Sequence, residues 1–215
     1  MDVLLQNLDL FGVGFLGTIE LFVVAGIGSL IGGGILAAMR VSPVPFLRAV
    51  GTGYVNVVRN TPLTLVLFFF AFAWNRLGII QLPFFALACA GLIVYTSAFV
   101  CEVLRSGVNT VPVGQAEASR ALGFTFALTL SQVIMPQAVR AVVPPLVSVE
   151  IALLKNTTIA AGFSVVEAGS IFPSLSERGY SVLVGGLWVA LGFVILVVPL
   201  TLLQRSLENR WSVTR

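Results

Sequence analysis

Histidine is absent from this 215-residue sequence, and charged residues are scarce at 10%. The first absence excludes imidazole-based catalysis and metal ligation by histidine, so we expect no metal site. A soluble globular domain carries about 25% charged residues. The low charge content, together with a mean hydropathy of +1.03, therefore predicts a polytopic membrane protein. The net charge of +3 is small, and we expect no nucleic-acid partner.

Two further absences concern nucleotide and disulfide chemistry. No phosphate-binding loop of the form G-x-x-x-x-G-K-[ST] occurs in the sequence, so we expect the chain to hydrolyse no ATP by itself. The only cysteines, Cys89 and Cys101, lie in one apolar run. A helix would separate them by about 18 Å, which is too far for a disulfide.

Five long apolar segments occupy most of the chain, at residues 13–39, 49–74, 83–104, 127–154 and 181–204. About 20 apolar residues suffice for a helix to cross a bilayer. We therefore predict an all-α membrane protein: a single transmembrane domain over residues 1–215 with five spanning helices. Residues 155–179 form a polar segment between the fourth and fifth spans.

Arginine positions predict the orientation of these spans. If the N-terminus lies outside, the outer segments contain only two arginines, Arg76 and Arg178. The cytoplasmic segments then contain eight, namely Arg40, Arg48, Arg105, Arg120, Arg140, Arg205, Arg210 and Arg215. Because Lys and Arg concentrate on the cytoplasmic side of membrane proteins, we predict that the N-terminus is outside and the C-terminus is cytoplasmic.

The stretch 114–123 differs from the spans because polar residues alternate there with small apolar ones. Pro112 and Gly114 interrupt the preceding run, and Gly123 is a typical helix end. The residues between them favour a helix, so we predict a short one of about two to three turns. Such a helix could fit a slot on another protein, or it could lie on the lipid surface as an amphipathic linker.

Polar residues also interrupt the second span. Arg59, Asn60 and Thr61 stand together directly before a proline. Ionisable residues inside a membrane are costly and indicate function, and discontinuous helices commonly hold the solute of a transporter. We hypothesise that these three residues line a translocation path and meet a substrate carboxylate. The alternative is that Arg59 pairs with Glu102 or Glu150 and holds the helices together.

Two more carboxylates lie within the spans. Glu150 is five residues before Lys155 in the fourth span, so it either pairs with that lysine or faces the path and meets an amino group. Glu102 and Arg105 are three residues apart at the end of the third span, which predicts an ion pair on one helix face.

Several short sequence words occur in the order typical of one transporter family. They are R-N-T-P at 59–62, E-V-L-R-S-G at 102–107, P-V-G-Q at 112–115, E-A at 117–118 with Gly123 and I-M-P at 134–136, P-Q-A-V-R at 136–140, and L-K-N-T-T at 154–158. With these words the chain resembles, over nearly its whole length, the permease subunits of ABC importers for polar amino acids. The E-A word and its glycine resemble their EAA motif.

The resemblance implies the transmembrane domain of a type I ABC importer in the bacterial cytoplasmic membrane, with no cofactor of its own. ATP and Mg²⁺ would be bound by a dimer of separate ATP-binding subunits. A second permease subunit, identical or paralogous, would complete the path, and an extracellular solute-binding protein would deliver the amino acid. The short helix would contact the ATPase through Gln115, Glu117, Ala118, Arg120, Ala121 and Gly123.

The same resemblance adds Lys155, Asn156 and Thr157 to the substrate path. Asn156 stands where the family pattern has aspartate, and Asn60 stands where it has glycine. Without the aspartate a site for a cationic amino acid is weakened, so we expect glutamate or glutamine as the substrate. An ion-coupled secondary carrier is the alternative function; such carriers usually show internal repeats, and none is evident in these five spans.

Overall fold

The computed structural model describes residues 2–78 and 80–211, and within these ranges all regular structure is helical. The α-helices are α1 (Asp2–Leu5), α2 (Leu8–Val41), α3 (Pro45–Arg59), α4 (Leu63–Phe68), α5 (Phe84–Asn109), α6 (Val113–Ala121), α7 (Phe126–Thr129), α8 (Met135–Asn156), α9 (Ile171–Glu177) and α10 (Val182–Trp211). Tighter and wider turns extend some of them. A π-helical turn (Phe69–Ala73) and a 3₁₀ turn (Trp74–Leu77) continue α4, a π-helical turn (Leu130–Ile134) leads into α8, and 3₁₀ turns follow at Thr157–Phe163 and Ala168–Ser170.

Four helical segments of the described chain are long and apolar enough to cross a membrane: Leu8–Val41, Phe84–Gly107, Phe126–Phe163 and Val182–Trp211. They overlap the first, third, fourth and fifth predicted spans. The second predicted span, 49–74, is not one rod. Pro45–Arg59 and Leu63–Leu77 are bent by 104° against each other, and they make a fifth crossing only if the bent pair is one span.

The break between α3 and α4 follows from Pro62 and the polar residues before it. Pro62 has no N–H to continue the helix, and the last carbonyls of α3 need other donors. The amide of Asn60 donates to the carbonyl of Asn56 at 2.7 Å, and the hydroxyl of Thr61 donates to the carbonyl of Val57 at 2.8 Å. Both side chains therefore provide hydrogen-bond donors for backbone carbonyls at the C-terminal end of α3.

Helix α5 is the centre of the bundle and contacts α2, α3, α4 and α8. Glycines allow the helices of the bundle to approach one another most closely. A β-carbon added at Gly32 of α2 would lie 2.5 Å from Oγ of Ser97, and one added at Gly107 of α5 would lie 3.3 Å from the carbonyl oxygen of Ala138 in α8. Small residues at such crossings let helix backbones pack tightly in a membrane. Helix α10 lies at the periphery, against α8 and α9.

The largest apolar cluster joins four helices at the middle of the bundle. Its buried members include Ala25 of α2, Leu63 and Leu67 of α4, Leu92 of α5 and Leu153 of α8. Because these side chains exclude both lipid and water, they fix α4 against α5 despite the break before it. The cluster therefore holds the start of α4, and with it the polar break, against the middle of α5 and the C-terminal part of α8.

Candidate functional site

A small cavity between α5 and α8 is the strongest candidate for a substrate contact. It has a volume of about 170 Å³ and is lined by Tyr95, Thr96, Phe99, Val149, Ala152, Leu153 and Asn156. The rings of Tyr95 and Phe99 lie 5.0 Å apart, centre to centre, along one face of α5. Pockets that enclose a small molecule measure about 300–1,000 Å³. This cavity can therefore hold only part of an amino acid by itself.

Asn156 is the only predicted path residue in this lining. The three residues from α5 were not predicted, although two aromatic residues four apart with a threonine beside them are an unusual feature of an apolar span. An aromatic pair at this spacing lies on one helix face. The pattern could have indicated an aromatic surface with polar groups on α5, but it could not indicate which helix lies opposite that surface.

Arg59 is not part of this lining, but it lies against Phe99, which is. Its guanidinium carbon is 5.7 Å from the centre of the Phe99 ring, a cation–π distance. One guanidinium nitrogen is 3.6 Å from a carboxylate oxygen of Glu102, and the Arg59 side chain remains 43% exposed. Of the two carboxylates considered as partners from the sequence, the structure pairs Arg59 with Glu102 and not with Glu150.

Glu102 is shared by three arginines. Besides Arg59, it accepts from Arg105 at 3.2 Å, as the i,i+3 spacing predicted, and from Arg40 at the end of α2. The sequence did not indicate that Arg40 would take part. Its side chain is the most buried of the three, at 11% exposed. The single carboxylate therefore ties α2, α3 and α5 together and leaves an excess of positive charge at this end of the bundle.

The other predicted path residues are not all brought together. Glu150 faces α2, where a β-carbon at Gly26 would lie 2.9 Å from its Oε2. Its other oxygen is buried, with no hydrogen-bond partner among the described residues. Lys155 is exposed, and within residues 2–78 and 80–211 no ion pair joins it to Glu150. Thr157 is buried, and its hydroxyl donates to the carbonyl of Leu154 at 2.8 Å. Glu150 and Thr157 do not line the cavity; each directly follows a lining residue, and one helical residue turns a side chain by about 100°.

One face of α8 is exposed, yet its side chains are small or polar. Its members are Gln137, Pro145, Ser148, Ala152 and Lys155, which we call the α8 polar face. Their spacings of three, four and eight residues place them on one side of a helix. Polar groups facing lipid are costly, so this face is expected to meet protein or water. The cavity opens beside it, since Ala152 belongs to both.

Helix α6 corresponds to the short helix predicted at 114–123. Gln115, Glu117, Ala118, Arg120 and Ala121 are all exposed on it. Gly123 ends it with a φ of +84°, a left-handed conformation that favours glycine. Only Ser119 turns inward, and its hydroxyl donates to the Gln115 carbonyl at 2.7 Å.

Large apolar side chains flank the polar surface of α6. Val113, Leu122 and Phe126 are 74%, 78% and 74% exposed. The chain therefore presents a short helix with apolar ends outside its own core. An exposed apolar patch rimmed by polar residues is typical of a protein contact site.

A buried carboxylate at the opposite end of the bundle was not predicted. Glu167 lies in the segment expected to be polar, yet it is fully buried. Its carboxylate accepts from the backbone N–H of Gly169 at 2.8 Å and from the hydroxyl of Thr18 at 3.3 Å. Thr18 in turn accepts from the N–H of Ala168 at 3.0 Å. Burial raises the pKa of the Glu167 carboxyl, and these hydrogen bonds oppose the shift. The cluster fastens this segment to α2.

The fold and sequence match known transport proteins. Residues 30–213 match the family described as binding-protein-dependent transport system inner membrane component. The glutamate transport system permease protein GluC of Corynebacterium efficiens is 46% identical over an alignment of 210 positions that covers 92% of each chain. The probable glutamine ABC transporter permease protein GlnM of Bacillus subtilis is 34% identical over 213 residues, 98% of this chain and 97% of that one.

Two solved structures show the same architecture. One is an amino acid ABC transporter crystallised with histidines, which has a TM-score of 0.90 at 26% identity and covers 96% of both chains. The inward-facing MetNI methionine ABC transporter has a TM-score of 0.75 at 21% identity, and covers 98% of this chain and 99% of that one. These matches do not support the ion-coupled carrier considered from the sequence. The chain belongs to the inner-membrane components of binding-protein-dependent transport systems, and is a permease subunit of the polar amino-acid ABC importers with the type I transmembrane fold.

Proposed function

We propose that this permease carries glutamate or glutamine across the membrane along a path that it forms with a second permease subunit. The α8 polar face carries the proposal, because small and polar side chains are exposed there in an otherwise apolar bundle. The cavity beside it is too small to enclose an amino acid, which is consistent with a site completed by the second subunit. Relatives that are named as glutamate and glutamine permeases support the choice of substrate.

In this proposal Asn156 contacts the substrate within the cavity, and Arg59 contacts it next to Phe99. Arg59 has one long contact to Glu102 and a side chain that is 43% exposed, so a substrate carboxylate can reach its guanidinium. The neutral amide of Asn156 can donate to a side-chain carbonyl or carboxylate oxygen. Lys155, exposed on the α8 polar face, adds positive charge along the route. Asn60 and Thr61 serve the path indirectly, by fixing the end of α3.

We propose that α6 is the contact with a dimer of ATP-binding subunits, which bind ATP and Mg²⁺. Its exposed polar residues and flanking apolar side chains fit a slot on a partner. The π-helical turn Leu130–Ile134 packs against α6 and leads directly into α8. A displacement of α6 would therefore reach the helix that carries the polar face. This is how ATP-driven closure of the partner pair would alter the path.

The proposed orientation places the N-terminus outside and the C-terminus in the cytoplasm. Seven of the eight arginines assigned to the cytoplasm lie in the described chain, and Arg215 lies outside it. Arg40, Arg105 and Arg120 lie at the ends of α2, α5 and α6, and the chain connects α5 directly to α6. The opposite end, with Glu167, would face the extracellular solute-binding protein.

The coupling proposal is tested with the assembled importer in lipid nanodiscs: this chain, its second permease, the ATP-binding subunits and the loaded binding protein. Glutamate or glutamine should stimulate ATP hydrolysis. Glu117→Arg should abolish the stimulation while the complex stays assembled. The matched control is Glu208→Arg, an equally exposed carboxylate on α10, which should retain it. Equal loss in both variants would refute a specific role for α6.

The substrate proposal needs a separate measurement. Asn156→Asp should weaken transport of glutamate about tenfold and favour a cationic amino acid, because a carboxylate replaces a neutral donor. Arg59→Gln should raise the substrate concentration needed for half-maximal stimulation. If neither variant changes the preference among amino acids, the cavity beside Phe99 is not the substrate contact.

A further inference from the structure

A second cavity lies at the arginine-rich end of the bundle and has a different chemistry. It measures about 370 Å³ and lies between α2, α5 and α8. Its lining is apolar except for Arg105: Ala37, Ala38, Val41, Leu104, Met135, Ala138, Val139, Val142, Val143 and Leu146. We call it the apolar groove. Along α8 the lining runs from residue 135 to residue 146, which is about 16 Å at the helical rise.

The groove is not part of the proposed path. Its α8 residues, such as Val139 and Val142, point roughly 130° around the helix axis from the α8 polar face, at about 100° per residue. Residues at its mouth are exposed and apolar, with Met135 at 43%, Val139 at 47% and Val41 at 68%. A surface of this kind suits hydrocarbon, whereas the polar face suits protein or water.

The part of the groove lined by Arg105 carries positive charge that, within the described residues, only Glu102 offsets. Arg105 shares Glu102 with two other arginines, Arg40 and Arg59. The Nε of Arg105 is buried and has no hydrogen-bond partner among the described residues. The Arg105 side chain as a whole is 39% exposed, and a guanidinium beside an apolar slot is complementary to a phosphate attached to an acyl chain. Basic pockets between membrane helices are known to bind anionic lipid headgroups on the cytoplasmic side.

We propose that the apolar groove binds one anionic phospholipid, with an acyl chain along α8 and the phosphate at Arg105. The lipid phosphate supplies one further negative charge beside Arg105, and the lipid fills the space between the ends of α2, α5 and α8. It holds together the helix ends that lead into α3 and α6. The phosphate contacts Arg105 and not the path residue Arg59, although both share Glu102, so either proposal can fail without the other.

The test is lipid titration of the assembled importer, purified in detergent, stripped of lipid and followed by native mass spectrometry. The probes are phosphatidylglycerol and phosphatidylcholine with identical acyl chains. The native chain should bind one phosphatidylglycerol about fivefold more tightly than phosphatidylcholine, the contribution of roughly one arginine near an anionic lipid. Arg105→Gln should remove this preference. The control Arg48→Gln, an exposed arginine on α3, should keep it.

A second variant separates the acyl chain from the headgroup. Val139→Trp fills the open side of the groove without replacing a buried residue. It should weaken the binding of both lipids equally. Equal binding of both lipids to the native chain, or equal behaviour of the Arg105 and Arg48 variants, would overturn the proposal. So would unchanged binding in Val139→Trp. Cross-linking of a Val139→Cys chain to the second permease in native membranes would also overturn it, since a protein would then cover the groove.

Discussion

Glu102→Gln should destabilise this protein more than any substitution of an exposed carboxylate. The change removes the one negative charge that Arg40, Arg59 and Arg105 share. Breaking a buried ion pair by removing one partner costs about 3–5 kcal/mol, because the other charge stays buried without compensation. Arg40 is 11% exposed and Glu102 is 21% exposed, so we expect the lower limit, about 3 kcal/mol. Arg59 and Arg105, at 43% and 39% exposed, remain solvated and add less than about 1 kcal/mol each.

For a domain of this length, about 3 kcal/mol corresponds to a decrease in Tm of roughly 6–12 °C. The chain contains its own reporters, since Cys89 and Cys101 are buried thiols at 5% and 0% exposure. A thiol-reactive fluorogenic dye, added to the purified permease during heating, therefore reports unfolding. Elution of the heated protein on a sizing column provides an independent measurement.

Two controls make this prediction specific to the charge. Glu208→Gln changes an exposed carboxylate on α10 and should shift the free energy of unfolding by less than about 0.5 kcal/mol. The double variant Arg40→Met with Glu102→Leu replaces the most buried pair by apolar residues and should restore most of the lost stability. If Glu102→Gln has the same Tm as the Glu208→Gln control, or if the double variant is the least stable, the ion-pair reasoning is wrong.

Three further outcomes follow from contacts elsewhere in the bundle, each read from the same melting assay. Gly17→Ala should lower stability by about 1–3 kcal/mol, because its β-carbon would meet the carbonyl of Val166, whereas Gly12→Ala, with nothing within 4 Å, should be neutral or slightly stabilising. Because the pKa of Glu167 is raised by burial, its stabilising contribution is present below the usual glutamate pKa of about 4.3 and is lost as the pH rises through the raised value. Glu167→Gln should therefore gain stability relative to the native chain on going from acidic to neutral pH, and a constant difference would contradict this. Tyr54→Phe removes a 2.7 Å hydrogen bond to a carbonyl of α5 and should cost about 1 kcal/mol; an unchanged Tm would show that the bond contributes nothing.

The predicted breaks in the chain show how much local chemistry can determine. Pro62 and the polar residues before it predicted an interrupted second span, because proline removes a donor and the freed carbonyls need partners. The direction of the chain after the break depends on Leu63 and Leu67 packing into the central cluster. The 104° bend is therefore a tertiary property.

The predicted path residues show more clearly what the sequence could not determine. Arg59, Glu150, Lys155, Asn156 and Thr157 were proposed together because each is polar within or beside an apolar segment. Of these, only Asn156 lines the cavity, and Arg59 lies next to it through Phe99. A polar residue within an apolar span is evident from the sequence, but the neighbouring helix that it faces depends on how the bundle packs.

The sequence by itself determined the class of protein, the spans and the short helix, because hydropathy, proline and glycine act within a few residues of one another. The short motifs that occur in the order typical of the family also identified that family. Only the tertiary structure decided that Glu102 is shared by three arginines, that Glu167 is buried against Thr18, and that an apolar groove lies beside Arg105. These features join residues from different helices, and the positions of those helices follow from packing of the whole bundle, which no local pattern encodes.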